Sequence, residues 1–439
     1  MPMPYRMPPA IFLPRLNFPR SNLSKPDFAR RLFGFYLVAL TILMGAAVDV
    51  LAHGERAQQA GTRMRTIMWY DVVISERDIN VGDVITISGR FRTSAWWPEH
   101  IPSVATRVFL NVGTNGPNFI RTRSHIDGVS MVQSTSLELG RDYGFEIELK
   151  ARRPGRFHVH PILSVENAGG MVGPGLWIEV GGSQSDFENT ATSMFGREIE
   201  LETFNLGTVY TWHIIWFVIG GAWLAYWLRQ SPLLIPRFRA VADAEAAGRD
   251  GDEILTEQDR KVAIGFLVVT LLVIFFGYQW AERTYPVTTP LRTAKARVPE
   301  KPEVSSPVSV KLDSARYRIP GRSFQMELEI SNGLDETIQI SEFLTANIRF
   351  INPEVRRVEP LDSHDLVAPE GLRIEGGAVA PGETATVKVF AEDSLWETQR
   401  LVHMINDPDS IIAGLLFFET PGGAREIIEI GGTMVPVFN

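Results

Sequence analysis

The sequence predicts a mainly β protein that carries a membrane helical hairpin, and three observations lead there. Short alternating strands punctuated by turns run from Arg63 to Val180, and a second alternating series fills the last third of the chain. Between them lie two apolar stretches of membrane-spanning length. At 439 residues, 21% of them charged, the chain is long enough for two or three domains. A formal charge of −8 gives no basic excess, so no nucleic-acid partner is expected. The absence of cysteine rules out disulfides and thiolate metal ligands.

Residues 1–52 read as a signal peptide with a long n-region. Met1 to Ala29 is rich in proline and carries Arg6, Arg15, Arg20 and Lys25; Arg30 and Arg31 then lead into an apolar run from Leu32 to Val48. That run is at the short limit for a span, and Val50 and Ala52 supply the small or β-branched residues that signal peptidase takes at −3 and −1. Cleavage after Ala52 starts the mature chain at His53. An amino-terminal histidine offers its α-amine and its ring nitrogen to the same metal, a chelate closed to internal histidines. Copper(II) suits such a donor set, because nitrogen ligands in a tetragonal arrangement favour it and it heads the affinity order of divalent metals.

The first β domain is expected over residues 53–205. Ile85 and Ile87 alternate with Val84, Thr86 and Ser88; Phe145 to Leu149 alternates with Glu146 and Glu148; Leu176, Ile178 and Val180 close the series. Breakers at Gly82-Asp83, Gly116-Pro117, Gly140, Pro154-Gly155, Gly169-Gly170 and Gly173-Pro174-Gly175 separate the strands, a spacing that predicts a sandwich or small barrel. Trp69, Trp96 and Trp97 are expected to pack in the core or at its rim. After the Pro154-Gly155 turn, strand alternation sends Phe157 and Val159 toward the core and sets His158 and His160 together on the opposite face. Two imidazoles sharing a face are a candidate metal pair, and His53, His158 and His160 are the predicted metal ligands.

The spans are expected at about 211–228 and 262–280 within residues 206–285. Tyr210, Trp212 and Trp227 flank the first, and Trp280 closes the second. Arg229, Arg237, Arg239, Arg260 and Lys261 crowd the ends facing the intervening loop, which places that loop in the cytoplasm and both β domains outside. His213 is expected at headgroup level. Residues 286–307 form a Pro-rich linker, and 308–439 a second sandwich of immunoglobulin-like or cupredoxin-like type. In it Phe324, Met326, Leu328 and Ile330 alternate with polar neighbours, and Ala380-Pro381-Gly382-Glu383 turns into the strand from Thr384 to Phe390. His364 and His403 are expected to be solvated.

Several blocks resemble the B subunit of the copper membrane monooxygenases, the family of particulate methane monooxygenase and ammonia monooxygenase. They are His53-Gly54-Glu55-Arg56, Arg63-Met64-Arg65-Thr66-Ile67, Leu110-Asn111-Val112-Gly113, Phe119-Ile120-Arg121 and Lys150 to Gly155 with His158-Val159-His160. Gly173-Pro174-Gly175 before Trp177, Asp259-Arg260-Lys261-Val262-Ala263, Asp407-Pro408-Asp409-Ser410 and Ala413 to Phe418 continue the match. The resemblance implies two periplasmic cupredoxin-like domains joined by two transmembrane helices, in a bacterial inner or intracytoplasmic membrane. It further implies copper on His53, His158 and His160, membrane lipid around the helices, and the A and C subunits of the monooxygenase as partners in a trimer of heterotrimers.

The implied function is one component of a monooxygenase that hydroxylates methane, ammonia or another short hydrocarbon with O₂. The alternative is a membrane-anchored periplasmic copper carrier or scaffold without oxygenase activity. No acid, base or nucleophile constellation marks a catalytic residue in this chain, and the chemistry is expected on the C subunit. Met68 stands where many methane and ammonia oxidisers carry a histidine. A thioether is a poor equatorial ligand for copper(II), so this departure argues against an additional copper position near His53.

Overall fold

The computed structural model describes residues 59–193, 195–230, 234–249, 254–286, 295–302, 305–318, 323–356, 366–395, 401, 404 and 409–438. The chain separates into two compact units, breaking between Asn189 and Thr190 and again between residues 286 and 295. The larger unit holds both β sandwiches and the smaller holds the apolar helices.

In the first sandwich one sheet is built from β1 (Ile67–Ile74), β3 (Val84–Thr93), β7 (Arg141–Ala151), β5 (Phe119–Ile126) and β6 (Val129–Ser130), in that spatial order. The other runs β2 (Asp78–Asn80), β10 (Leu176–Gly181), β8 (Gly155–Val165) and β4 (Val108–Gly113), with β9 (Gly169–Val172) paired to β8. The alternation read from sequence places the core: Ile85, Ile87, Ile147 and Leu149 from one sheet meet Val159, Leu163 and Ile178 from the other, all fully buried. Trp69 is buried against Phe91 and Phe145 at ring-centroid distances of 5.1 and 5.0 Å, and Trp97 is buried, whereas Trp96 lies at the rim.

The short hairpin β11 (Thr190–Thr192) and β12 (Glu198–Glu200) belongs to the helical unit. The second sandwich contains β13 (Val308–Arg318), β14 (Ser323–Asn332), β15 (Ile338–Thr345), β16 (Ile348–Ile351), β17 (Val367–Ala368), β18 (Leu372–Glu375), β19 (Ala378–Val379), β20 (Thr384–Glu392), β21 (Ile411–Glu419) and β22 (Arg425–Val437). Phe324, Met326, Leu328 and Ile330 of β14 all point into its core. Long β22 joins the two layers, pairing antiparallel with β21 through Thr433 and then parallel with β13 from Met434 onward.

The two sandwiches meet through side chains that a single-domain pattern does not reveal. Met68 and Tyr70 leave β1 on the face opposite Trp69 and join Leu344, Ala413, Leu415 and Phe417 in a small buried cluster. Met68 is therefore interdomain packing. Around the cluster, Arg92 bridges Asp142 and Glu429, Arg65 pairs with Asp409 at 2.6 Å, and Arg425 pairs with Asp71 at 2.8 Å. Burial pulls the Arg92 guanidinium down, but the two carboxylates outweigh it and hold the group above its ordinary value. The described linker residues form no helix or strand, yet they are not a loose spacer. Ala296 donates its N–H to the Ser134 carbonyl at 2.8 Å, and Lys301 reaches Asp127 at 2.8 Å and the Asp142 carbonyl at 2.6 Å.

In the helical unit, Leu206–Leu228 and Glu257–Thr284 have 23 and 28 residues, hence lengths of about 34 and 42 Å at the helical rise, enough to cross a hydrocarbon core. Gly277 lets Trp212 lie against the second helix, since a Cβ there would fall 2.6 Å from the indole. Between them Leu234–Ala246 is helical and is pinned by buried Arg237, which pairs with Asp259 at 2.6 Å. Asp259 also completes a capping box with Thr256 and accepts from Tyr226 at 2.6 Å, so the Asp259-Arg260-Lys261 block starts the second helix.

Candidate metal centre

Gly155, at φ 138°, opens β8 in a backbone region that glycine tolerates, and the strand then alternates as expected. Val159 is fully buried and Phe157 packs against the same core, while His158 and His160 share the other face at 8% exposure each. The imidazole centroids are 4.4 Å apart at 79°, and His160 Nε2 lies 3.1 Å from His158 Nδ1. His160 Nδ1 lies 3.0 Å from the Gly173 carbonyl, which can only accept, so Nδ1 carries the proton and Nε2 presents a lone pair.

The pair is buried because the Gly173-Pro174-Gly175 turn closes over it. A Cβ on Gly175 would stand 2.0 Å from His158 Nε2 and 2.8 Å from His160 Cε1, and one on Gly173 would meet Pro161 and the Trp69 ring. Only glycine lets the backbone come this close. From β10, Trp177 sits directly across from His158 in the ladder and stacks on its ring at 4.5 Å and 26°. The Arg156 guanidinium also lies 4.5 Å from the Trp177 ring and pairs with Glu179 at 3.1 Å. The sequence marked the two glycines as strand breakers and left Trp177 outside the site. The alternation of β10, which puts Trp177 on the face opposite Leu176 and Ile178, was the available signal for it.

The nitrogen pair fits a metal. Two nitrogens each about 2.0 Å from one ion and at right angles to each other stand about 2.8 Å apart, and the observed 3.1 Å is close to that. Among the described residues no three His, Asp or Glu side chains gather as a metal-binding group, so this strand pair needs ligands from elsewhere. His53, the other predicted ligand, lies outside the described residues, as do His364 and His403. The remaining described histidines have other partners: His100 is exposed 3.9 Å from Asp409, His125 stands 3.9 Å from Glu146, and exposed His213 bonds the Val209 carbonyl of its own helix.

The family model for the B-subunit protein of the monooxygenases matches residues 54–438. Over 396 residues, 89% of this chain and 94% of the relative, the sequence is 44% identical to the particulate methane monooxygenase alpha subunit of Methylococcus capsulatus (strain Bath). Among solved structures, the cupredoxin domain of amoB from Nitrosocaldus yellowstonii aligns with 31% of this chain and 99% of its own length, at 16% identity and a TM-score of 0.24. A family match over residues 54–438, together with 44% identity over 94% of the relative's length, establishes that this chain belongs to the monooxygenase B-subunit family.

Proposed function

We propose that the chain is the copper-carrying component of a membrane monooxygenase complex that uses O₂ to hydroxylate methane, ammonia or another short hydrocarbon. The observation that carries the metal reading is the His158/His160 pair: two ring nitrogens 3.1 Å apart on one strand face, with one ring's tautomer set by a backbone carbonyl. His53, freed by cleavage after Ala52, would add its amine and ring to complete a four-nitrogen set. Copper in such a set supplies reversible one-electron chemistry and affinity for oxygen donors. The chain's own residues hold and orient it: Gly173 fixes the His160 tautomer, Trp177 backs His158, and the glycine turn shields both rings from water. Among the described residues no Asp or Glu gathers with the pair, and we assign oxygen insertion to the partner C subunit and electron relay, structural support or regulation to this site.

The remaining elements follow the same reading. The A and C subunits pack with the two spans in a bacterial inner or intracytoplasmic membrane as a trimer of heterotrimers, both sandwiches face the periplasm, and Ser231 to Asp259 faces the cytoplasm. The competing reading is a copper carrier with no oxygenase partners, which would purify alone and metal-loaded.

Copper retention tests the site. A chain beginning at His53 should hold copper through purification, and His158→Ala with His160→Ala should lose it. The control pair His100→Ala with His125→Ala should keep it, and one residue placed ahead of His53 should weaken it at least tenfold. Equal retention in the two double variants would reject the strand pair as ligands.

A further inference from the structure

We propose that Asn347, from the second sandwich, is a positioning residue for the His160 imidazole of the first, acting through the Val172–Gly173 peptide. Asn347 sits with Ala346 at the tip of the two-residue hairpin between β15 and β16, where Thr345 pairs with Ile348. Both tip residues are in the left-handed region, Ala346 at φ 49° and Asn347 at φ 67°, the arrangement of a type I′ turn. Asparagine adopts it readily; alanine does so at a cost that the surrounding packing must offset. The tip is buried, with Ala346 at 1% and Asn347 at 4% exposure.

From there the Asn347 side chain crosses the domain boundary and donates Nδ2–H to the Val172 carbonyl at 2.8 Å. The same peptide group is held on its other side, because the Gly173 N–H donates to the Pro161 carbonyl at 2.8 Å. With both ends of that peptide fixed, the Gly173 carbonyl is aimed at His160 Nδ1, 3.0 Å away. Contact thus runs from a strained hairpin tip, through one clamped peptide, to a ring whose tautomer decides which nitrogen meets the metal. The second sandwich thereby gains a role in the site without contributing a ligand.

This inference rests on the copper reading above, and the experiment separates the two. The full chain, purified alone in lipid nanodiscs and loaded with copper(II), is compared with Asn347→Gly, Asn347→Asp and the His158→Ala/His160→Ala pair. Glycine keeps the positive-φ turn and removes the amide; aspartate keeps the shape and replaces the donor with an acceptor facing the carbonyl. Both single variants should lose copper to a chelator about 3- to 10-fold more readily, below the full effect of losing a direct partner of a ligand. Both should also show a changed copper(II) EPR hyperfine splitting, with the thermal midpoint of Asn347→Gly within a few degrees of wild type. Wild-type retention and spectra in both, with copper lost from the double histidine variant, would overturn the positioning role and leave the copper reading standing. A loss of copper that merely tracks a fallen thermal midpoint would overturn it too. Copper kept with an unchanged spectrum by the double histidine variant would remove the copper reading and this inference with it.

Discussion

His158 and His160 are neighbours because a strand has a two-residue repeat, but they are a usable pair because the turn that closes over them brings glycine against the rings. Gly175 comes nearest the rings. Its absent Cβ would occupy the position 2.0 Å from His158 Nε2 and 2.2 Å from Cε1, so any side chain there must displace the ring, the turn or both. Gly175→Ala should therefore cost copper retention at least tenfold while leaving the sandwich folded, because the buried strands lie on the other side of β8. Metal analysis beside a far-UV circular dichroism spectrum checks this. Full retention by the alanine variant would mean that the turn stands well clear of the rings.

At the scale of elements, the contact between β1 and β21 joins the two sandwiches and holds a group that responds to pH. Tyr70 packs edge-on against Phe417 at 5.9 Å and donates its hydroxyl to Asp142 at 2.8 Å. Burial, reinforced by the negative charge of Asp142, raises its phenol pKa well above the ordinary tyrosine value. The folded chain keeps a proton that the unfolded chain gives up near pH 10, so stability present below pH 10 declines as pH rises beyond it. Tyr70→Phe removes that titration. Denaturation midpoints measured from pH 8 to pH 11 should fall less steeply for the variant than for wild type, though at pH 8 the variant starts lower by about 1 kcal/mol for the lost hydrogen bond. Parallel pH curves would show that Tyr70 ionises as easily folded as unfolded.

For the whole molecule, the decisive question is which side of the membrane each part occupies. The cations beside the two spans cluster on the ends facing the segment that contains Arg237 and Arg239, and on this charge bias the proposed topology puts that segment in the cytoplasm. Since the chain has no cysteine, a single Gly248→Cys reports without background. It should resist a membrane-impermeant thiol reagent in intact cells and react once the membrane is opened. Ready labelling in intact cells would reverse the orientation and put both sandwiches, with the histidine pair, in the reducing compartment.

Whatever depends on short-range repetition could be read from the linear order of residues. The strand faces of Ile85/Ile87 and Phe324 to Ile330, the shared face of His158 and His160, and the two apolar helices all follow from the strand repeat and from apolar length, which no distant contact alters. Helix starts were less legible: the first helix begins at Leu206, ahead of its apolar stretch, and the second at Glu257, because a capping box and the Arg237–Asp259 pair extend it. Met68 stands out in the sequence as a methionine where the resemblance leads to a histidine, but folding made it part of the seam between sandwiches. Gly173 as a hydrogen-bond acceptor and Asn347 as a clamp were not legible, and of Trp177 only its face of β10 was, not its stacking partner. Their partners are 13, 19 and 175 residues away along the chain, and nothing local records which distant backbone will arrive opposite a given side chain. Folding alone brings a ring to a carbonyl and a hairpin tip to a turn, because those contacts depend on how two sandwiches dock and not on the repeat within either.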